Sequence, residues 1–98
     1  MSIEKKYQKQ LIAIIHKHLP GCKIYLFGSR ATNKHHPGSD IDLALDAKKI
    51  ISFDTLVAIL IDIDNTTIPV KVDLVDIHAA SNNFLKENII REGIAWIS

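Results

Sequence analysis

Cysteine is almost missing from this chain. Cys22 is the only one, so no internal disulfide is available, and nothing around it has the spacing of a zinc site or an activated thiol. Long apolar runs are missing too: none reaches the ~18 residues that suggest a membrane span. The opening stretch MSIEKKYQKQ has no apolar core of the kind a secretion signal carries. Nor is there a surplus of one charge. Twelve Lys and Arg face eleven Asp and Glu, a net charge of +1, which excludes the broad basic footprint of a free-standing nucleic-acid binder. Repeats, low-complexity tracts and linkers are absent. What remains is an ordinary globular composition, 47% hydrophobic and 23% charged over 98 residues, enough for one core. The expectation is one domain over residues 1–98, with no membrane segment, in a reducing cytoplasm.

Helical and strand periodicities alternate along the chain. Ser2 is placed to cap a first helix with Glu4 in its first turn, and Ile3, Tyr7, Leu11, Ile14, Ile15 and Leu19 then form one stripe. Pro20-Gly21 ends it. Residues 22–27, CKIYLF, read as a buried strand that delivers Gly28-Ser29 at its end. A polar loop follows, and residues 40–45, DIDLAL, alternate as a second strand. A helix starts near Ser52 and covers FDTLVAILIDI. Residues 68–77, IPVKVDLVDI, read as a third strand with Pro69 at its start, and a last helix runs from about Ser81 to Arg91, stopped by Gly93. This order predicts α/β, or α+β with helices packed on a small mixed sheet.

Two carboxylates one residue apart inside a strand need an explanation. Side chains alternate faces along a strand, so Asp40 and Asp42 share one face while Ile41 and Leu43 enter the core. Held side by side, the two anions repel, and a divalent cation removes the conflict by bonding oxygens from both. Hard oxygen ligands favour Mg²⁺ or Mn²⁺, and Mg²⁺ commonly combines one or two carboxylates with substrate phosphates. Gly28 allows backbone to approach a ligand closely, and the turn after it directs N–H groups outward. Ser29, with Arg30 beside it, is placed to hold phosphates above the metal. A third carboxylate comes from VKVDLVD, as Asp73 or Asp76. Neither a Gly-Lys-Ser/Thr phosphate loop nor a dinucleotide glycine fingerprint is present.

Gly28-Ser29, ten residues, Asp40-Ile41-Asp42 and an acid on a later strand together resemble the nucleotidyltransferase superfamily typified by DNA polymerase beta. The phrases LFGSRA, GSDIDLAL and VDLVD resemble in particular the minimal nucleotidyltransferases, the MNT proteins, and the likeness runs over residues 1–98. It implies a polymerase-beta-like core, two Mg²⁺ ions held by Asp40 and Asp42, and Asp73 as metal ligand or base. It further implies that Gly28 and Ser29 hold phosphates, with Arg30 and Ser39 in the usual context. The implied reaction moves a nucleoside monophosphate from ATP or another triphosphate with loss of pyrophosphate, by two-metal in-line displacement. Many MNT proteins act with a HEPN-domain toxin, so the resemblance implies an antitoxin that adds AMP to a tyrosine of that partner. Two departures accompany the match. Asn33 stands where relatives often have glycine, a position Asn also tolerates, and larger relatives carry an extra domain for choosing base and acceptor.

Asp73 and Asp76 are three apart on a strand and so face opposite ways. With Val72 and Leu74 on the core face, Asp73 joins the Asp40/Asp42 side, and replacing Asp76 is expected to be mild. His35 and His36 lie in the loop between the motif phrases as solvated residues, His16 and His18 point in different directions on their helix, and His78 reads as structural. Lys5, Lys6 and Lys9 form the wet face of the first helix, and Trp96 is a core or interface aromatic. The helix at 53–63 is apolar all round, which predicts burial on more than one side and a docked protein against it. The alternatives from other classes are a catalytically silent, binding-only antitoxin and a catalytic subunit for RNA or small-molecule nucleotidylation, either in a homo- or hetero-oligomer.

Overall fold

The computed structural model describes residues 5–28, 40–79 and 83–96. In chain order the elements are α1 (Lys5–His18), β1 (Lys23–Phe27), β2 (Ile41–Asp46), α2 (Phe53–Asp64), β3 (Val72–Asp76), α3 (Asn83–Glu92) and β4 (Ile94–Trp96). The strands form one sheet in the order β3-β2-β1-β4. β1 runs antiparallel to both β2 and β4, and β3 runs parallel to β2, so α2 is the crossover a parallel pair requires. This is the small mixed sheet with flanking helices that the periodicities predict. Ser2, Ile3, Glu4 and Ser81 fall outside the described residues.

The two sheet faces carry different loads. On one, Leu11 and Ile15 of α1 and Ile59 and Ile63 of α2 pack with Ile24, Leu26, Ile41, Leu43, Leu45, Val72 and Trp96. On the other, Ile89 of α3 packs with Ala44 and Ile77, with Tyr25 and Phe27 against them. Strand alternation decides which residue joins which layer. α1 buries the stripe at Leu11 and Ile15 and half-buries Tyr7 and Ile14, with Leu19 just past its end also half-buried, and Gly21, at φ +76°, takes the left-handed turn that returns the chain into β1. Ser52 caps α2, its hydroxyl accepting the Thr55 N–H at 3.2 Å. His18 then ties the C-terminal ends of α1 and α2 together through Asp62, at 2.7 Å. No helix among the described residues is long and apolar enough to cross a membrane.

Two expectations change and one element is new. β3 is shorter than residues 68–77, because only Ile41 to Leu45 supply it with partners; Ile68 and Val70 still pack on the core without strand pairing. The segment after Gly93 becomes β4, with Trp96 opposite Ile24 and Ile94 opposite Leu26. α2 is not buried on several sides. Ile59 and Ile63 are buried, whereas Phe53 is 77% and Ile61 55% exposed.

Asp76 also differs from expectation. It faces the α1–α2 layer, is only 6% exposed, and accepts the Ile51 N–H at 2.7 Å and the His78 N–H at 2.9 Å. It therefore holds the approach to α2 against the end of β3. An amide there offers an NH₂ group to one of these donors, leaving a buried N–H unmatched. Asp76→Asn is thus expected to lower unfolding free energy by ~1–3 kcal/mol, measurable by urea denaturation, so its mildness is an expectation for transfer and not for stability. An unchanged urea midpoint would show that these two bonds contribute nothing.

Candidate active site

The sheet register assembles the candidate site. Phe27 lies opposite Asp42 across the antiparallel pair, so Gly28 follows at the end of β1 where β2 begins. Asp42 lies opposite Asp73 across the parallel pair, and in-register neighbours share a face. Ile41 and Leu43 are fully buried in the α1–α2 layer, which turns Asp42 to the opposite face, and Val72 and Leu74 do the same for Asp73. Asp40 immediately precedes β2. There the Ile41 N–H donates to the Lys71 carbonyl at 2.8 Å, closing the β2–β3 edge beside the acidic residues.

The electrostatics match the geometry. Burial pushes the Asp42 carboxyl above the usual carboxylate range, and the charges of Asp73 and then Asp40 push it further. Three anions thus act on one region. Lys71 Nζ lies 3.6 Å from Asp73 Oδ1, but the two side chains are 70% and 44% exposed, so water screens the pair and it is worth little. Lys71 is the neighbour missed in the sequence. Its signal was present, because residues two apart on an extended chain share a face.

Gly28 couples the turn to the acid. It has φ +75°, and a Cβ built there would stand 2.5 Å from Asp42 Oδ2. Only glycine lets Asp42 keep this position. Gly28→Ala combines a left-handed backbone penalty of ~1–2 kcal/mol with displacement of the Asp42 carboxylate. It is therefore expected to lower Mg²⁺–triphosphate affinity beyond what its loss of melting temperature accounts for. Titration calorimetry at a temperature where the variant is fully folded checks this; equal affinity would separate Gly28 from the site.

Other residues named from the sequence go elsewhere. Ser29, Arg30, Ser39, Asn33, His35 and His36 lie outside the described residues. Asp76 is in the core, as described above. His16 bonds the Cys22 carbonyl at 2.9 Å, and His78 Nε2 meets Asp46 Oδ1 at 2.5 Å. Burial pushes the Cys22 thiol up to about 11, so it stays protonated and unreactive at neutral pH. A cavity of about 360 Å³ lined by His16, Cys22, Lys23, Tyr25 and Trp96 opens near the start of β1, at the end opposite Gly28, with none of the three acidic residues in its wall.

The donor set suits a hard divalent cation. Asp40, Asp42 and Asp73 offer carboxylate oxygens only, and the charge on Asp42 is disfavoured until a cation offsets it. Among the described residues no three acidic, histidine or cysteine side chains close into a cage. Mg²⁺ needs no such cage, since substrate phosphates and water commonly complete its shell.

The fold defines the class, an α+β nucleotidyltransferase domain with helices on a mixed four-stranded sheet. The family model described as polymerase beta, nucleotidyltransferase, matches residues 9–98, and the chain belongs to that family. Among solved structures, a toxin–antitoxin complex with AMP-PNP matches with a TM-score of 0.77 at 27% identity, covering 93% of this chain and 73% of that one. A doubly substituted variant of the toxin–antitoxin MntA–HpeT matches with a TM-score of 0.74 at 25% identity, covering 93% and 73%. The MNT antitoxin complex with tri-AMPylated Shewanella oneidensis HEPN toxin matches with a TM-score of 0.72 at 24% identity, covering 100% and 74%; that likeness is one of fold. No curated protein matches the chain.

Proposed function

We propose that this chain is a Mg²⁺-dependent nucleotidyltransferase that moves AMP from ATP to a side-chain hydroxyl of a HEPN-type toxin and so acts as its antitoxin. The observation that carries this reading is the pairing of Asp42 with Asp73 on adjacent strands beside Gly28, in a chain of the polymerase beta nucleotidyltransferase family. The AMP-PNP in a toxin–antitoxin relative at 27% identity supports an adenine triphosphate as donor and a protein toxin as partner. The resemblance of LFGSRA and GSDIDLAL to MNT antitoxins supports a tyrosine as acceptor.

In this mechanism the acceptor oxygen attacks the α-phosphorus, the bond from that phosphorus to the oxygen bridging the β-phosphate breaks, and pyrophosphate leaves. Asp40 and Asp42 hold the cation region at the start of β2. Asp73, directly across from Asp42, orients the acceptor hydroxyl and receives its proton or directs it to water. Gly28 keeps backbone close to Asp42, where a triphosphate would bind. Mg²⁺ held by these residues would neutralise charge on the phosphates and lower the pKa of the acceptor hydroxyl. The burial that disfavours a lone charge on Asp42 also strengthens its attraction to a cation once one is bound.

The test is intact-mass analysis after incubating the chain with its cognate HEPN protein, ATP and Mg²⁺. Additions of about 329 Da, the mass of one transferred AMP moiety, are expected on the partner and are expected to vanish with Asp40→Asn. Labelling of RNA or a small alcohol in place of the protein would overturn the acceptor. Tight partner binding with no adduct on any acceptor would leave the binding-only antitoxin as the answer.

A further inference from the structure

The outer face of α2 carries apolar side chains that the described residues do not cover. Phe53, Val57 and Ile61 recur every fourth residue, Phe53 and Ile61 are mainly exposed, and Ile50 just before the helix is 68% exposed. Asp54 and Asp64 flank this stripe, both exposed, and α2 holds no basic residue. α1 lies beside it on the same sheet face with the opposite character: Lys5 and Lys9 are exposed, Lys17 already pairs with Asp62 of α2 at 3.7 Å, and the helix has no acidic residue. A basic helix and an acidic, apolar helix are thus presented side by side in one layer, with their C-terminal ends joined through Asp62.

This layer lies across the sheet from the acidic residues. The Asp42 and Asp73 side chains leave the sheet on the α3 side, so the sheet itself separates them from the outer face of α2. What fits the layer is the layer itself. A two-fold axis running along the helices between two facing copies sets α1 of each on α2 of the other, an isologous contact in which both halves bring lysines to aspartates.

We infer that the α1–α2 face joins two copies of this chain, α1 of each on α2 of the other, leaving both carboxylate sites on the outside of the dimer. The contact does not depend on the transferase reading. Helices of 14 and 12 residues are roughly 20 Å long, and two side by side offer about 400 Å² per copy, below the ~800 Å² of a standard interface. The dimer is therefore weak and sensitive to salt.

Sedimentation velocity on the full chain from micromolar to millimolar concentration tests this. Wild type is expected to dimerise at low salt, with association weakening at least ~10-fold at 0.5 M NaCl as exposed charges are screened. Phe53→Glu, at a solvent-exposed position, is expected to remain folded by circular dichroism and to stay monomeric. The decisive arm uses two charge-reversed forms of the N-terminal ends that this axis brings together, Asp54→Lys, and Lys5→Glu with Lys9→Glu. Each alone places like charges in both halves of the contact and is expected to be monomeric. Mixed in equal amounts they are expected to form a heterodimer, because each altered helix then meets its opposite. A wild type monomeric at millimolar concentration, folded variants that associate like wild type, or a mixture that does not pair would each overturn the inference. Protection of Phe53 and Ile61 from hydrogen exchange only when a different protein is bound would overturn it in favour of that protein.

Discussion

Asp42→Asn is expected to abolish nucleotide transfer and to erase the stabilisation that Mg²⁺ and a triphosphate give the wild-type chain. At ligand concentrations of about a hundred times the dissociation constant, that linkage stabilises a folded protein by ~2.7 kcal/mol. A carboxylate opposite Asp73 and in contact range of the Gly28 position has no substitute among the described residues, so the variant should show no ligand-dependent rise in melting temperature. Without metal the sign reverses. Burial, Asp73 and Asp40 raise the Asp42 pKa in the folded chain, so the native state binds a proton more tightly than the unfolded one. Wild type therefore loses stability as pH rises from the ordinary carboxylate range through the raised value, and the loss persists above it. Asp42→Asn carries no such charge. It is expected to be more stable than metal-free wild type at pH 7, with the difference disappearing at pH low enough to protonate Asp42 in the unfolded chain too. Urea denaturation across this range, with and without Mg²⁺–ATP, reads both effects. Equal ligand shifts in the two proteins would remove Asp42 from the metal site.

Asp73→Asn is expected to reduce transfer by ~10²–10⁴-fold, the range associated with a positioned general base, while retaining part of the Mg²⁺–nucleotide binding. Asp73 pairs with Asp42 through the parallel ladder, so it adjoins the proposed cation region, which is assigned mainly to Asp40 and Asp42. Its side chain is 44% exposed, which leaves it reachable by an incoming hydroxyl. The amide preserves shape and removes the base, so single-turnover transfer should fall far more than affinity. Asp76→Asn supplies the contrast, with lowered stability and near-normal transfer in the folded fraction. If Asp76→Asn abolished transfer while Asp73→Asn left it intact, the carboxylates would be assigned to the wrong strand face.

Much of this architecture is local and so was legible in the residues. Leu11 and Ile15 recur at helical spacing and are buried, Ser52 caps the helix it precedes, and Ile41 and Leu43 alternate with Asp42 along one strand. Period-two alternation also separates Asp73 from Asp76 without coordinates. These features depend on residues within a few positions of each other, and the backbone geometry of helix and strand sets their directions. The motif phrases likewise point to the family by short-range spacing.

Long-range pairing decided the rest. Sequence order does not state that β2 lies between β1 and β3, yet that order sets Asp42 against Asp73 and brings Gly28 so close to Asp42 that an added Cβ would stand 2.5 Å from its Oδ2. The final strand depends on Ile94 and Trp96 finding β1, some seventy residues away by the numbering, so its three residues carried too weak a local signal. Asp76 looked dispensable until the fold brought the Ile51 N–H to its carboxylate. The apolar excess of α2 was plain in its composition, but which sides it covers depends on the sheet beneath it. Only there does one flank bury Ile59 and Ile63 while Phe53 and Ile61 face outward, across the sheet from the carboxylates. Local spacing determined the residue types and their directions; contacts between distant segments, through which burial and charge act, determined what those residues meet.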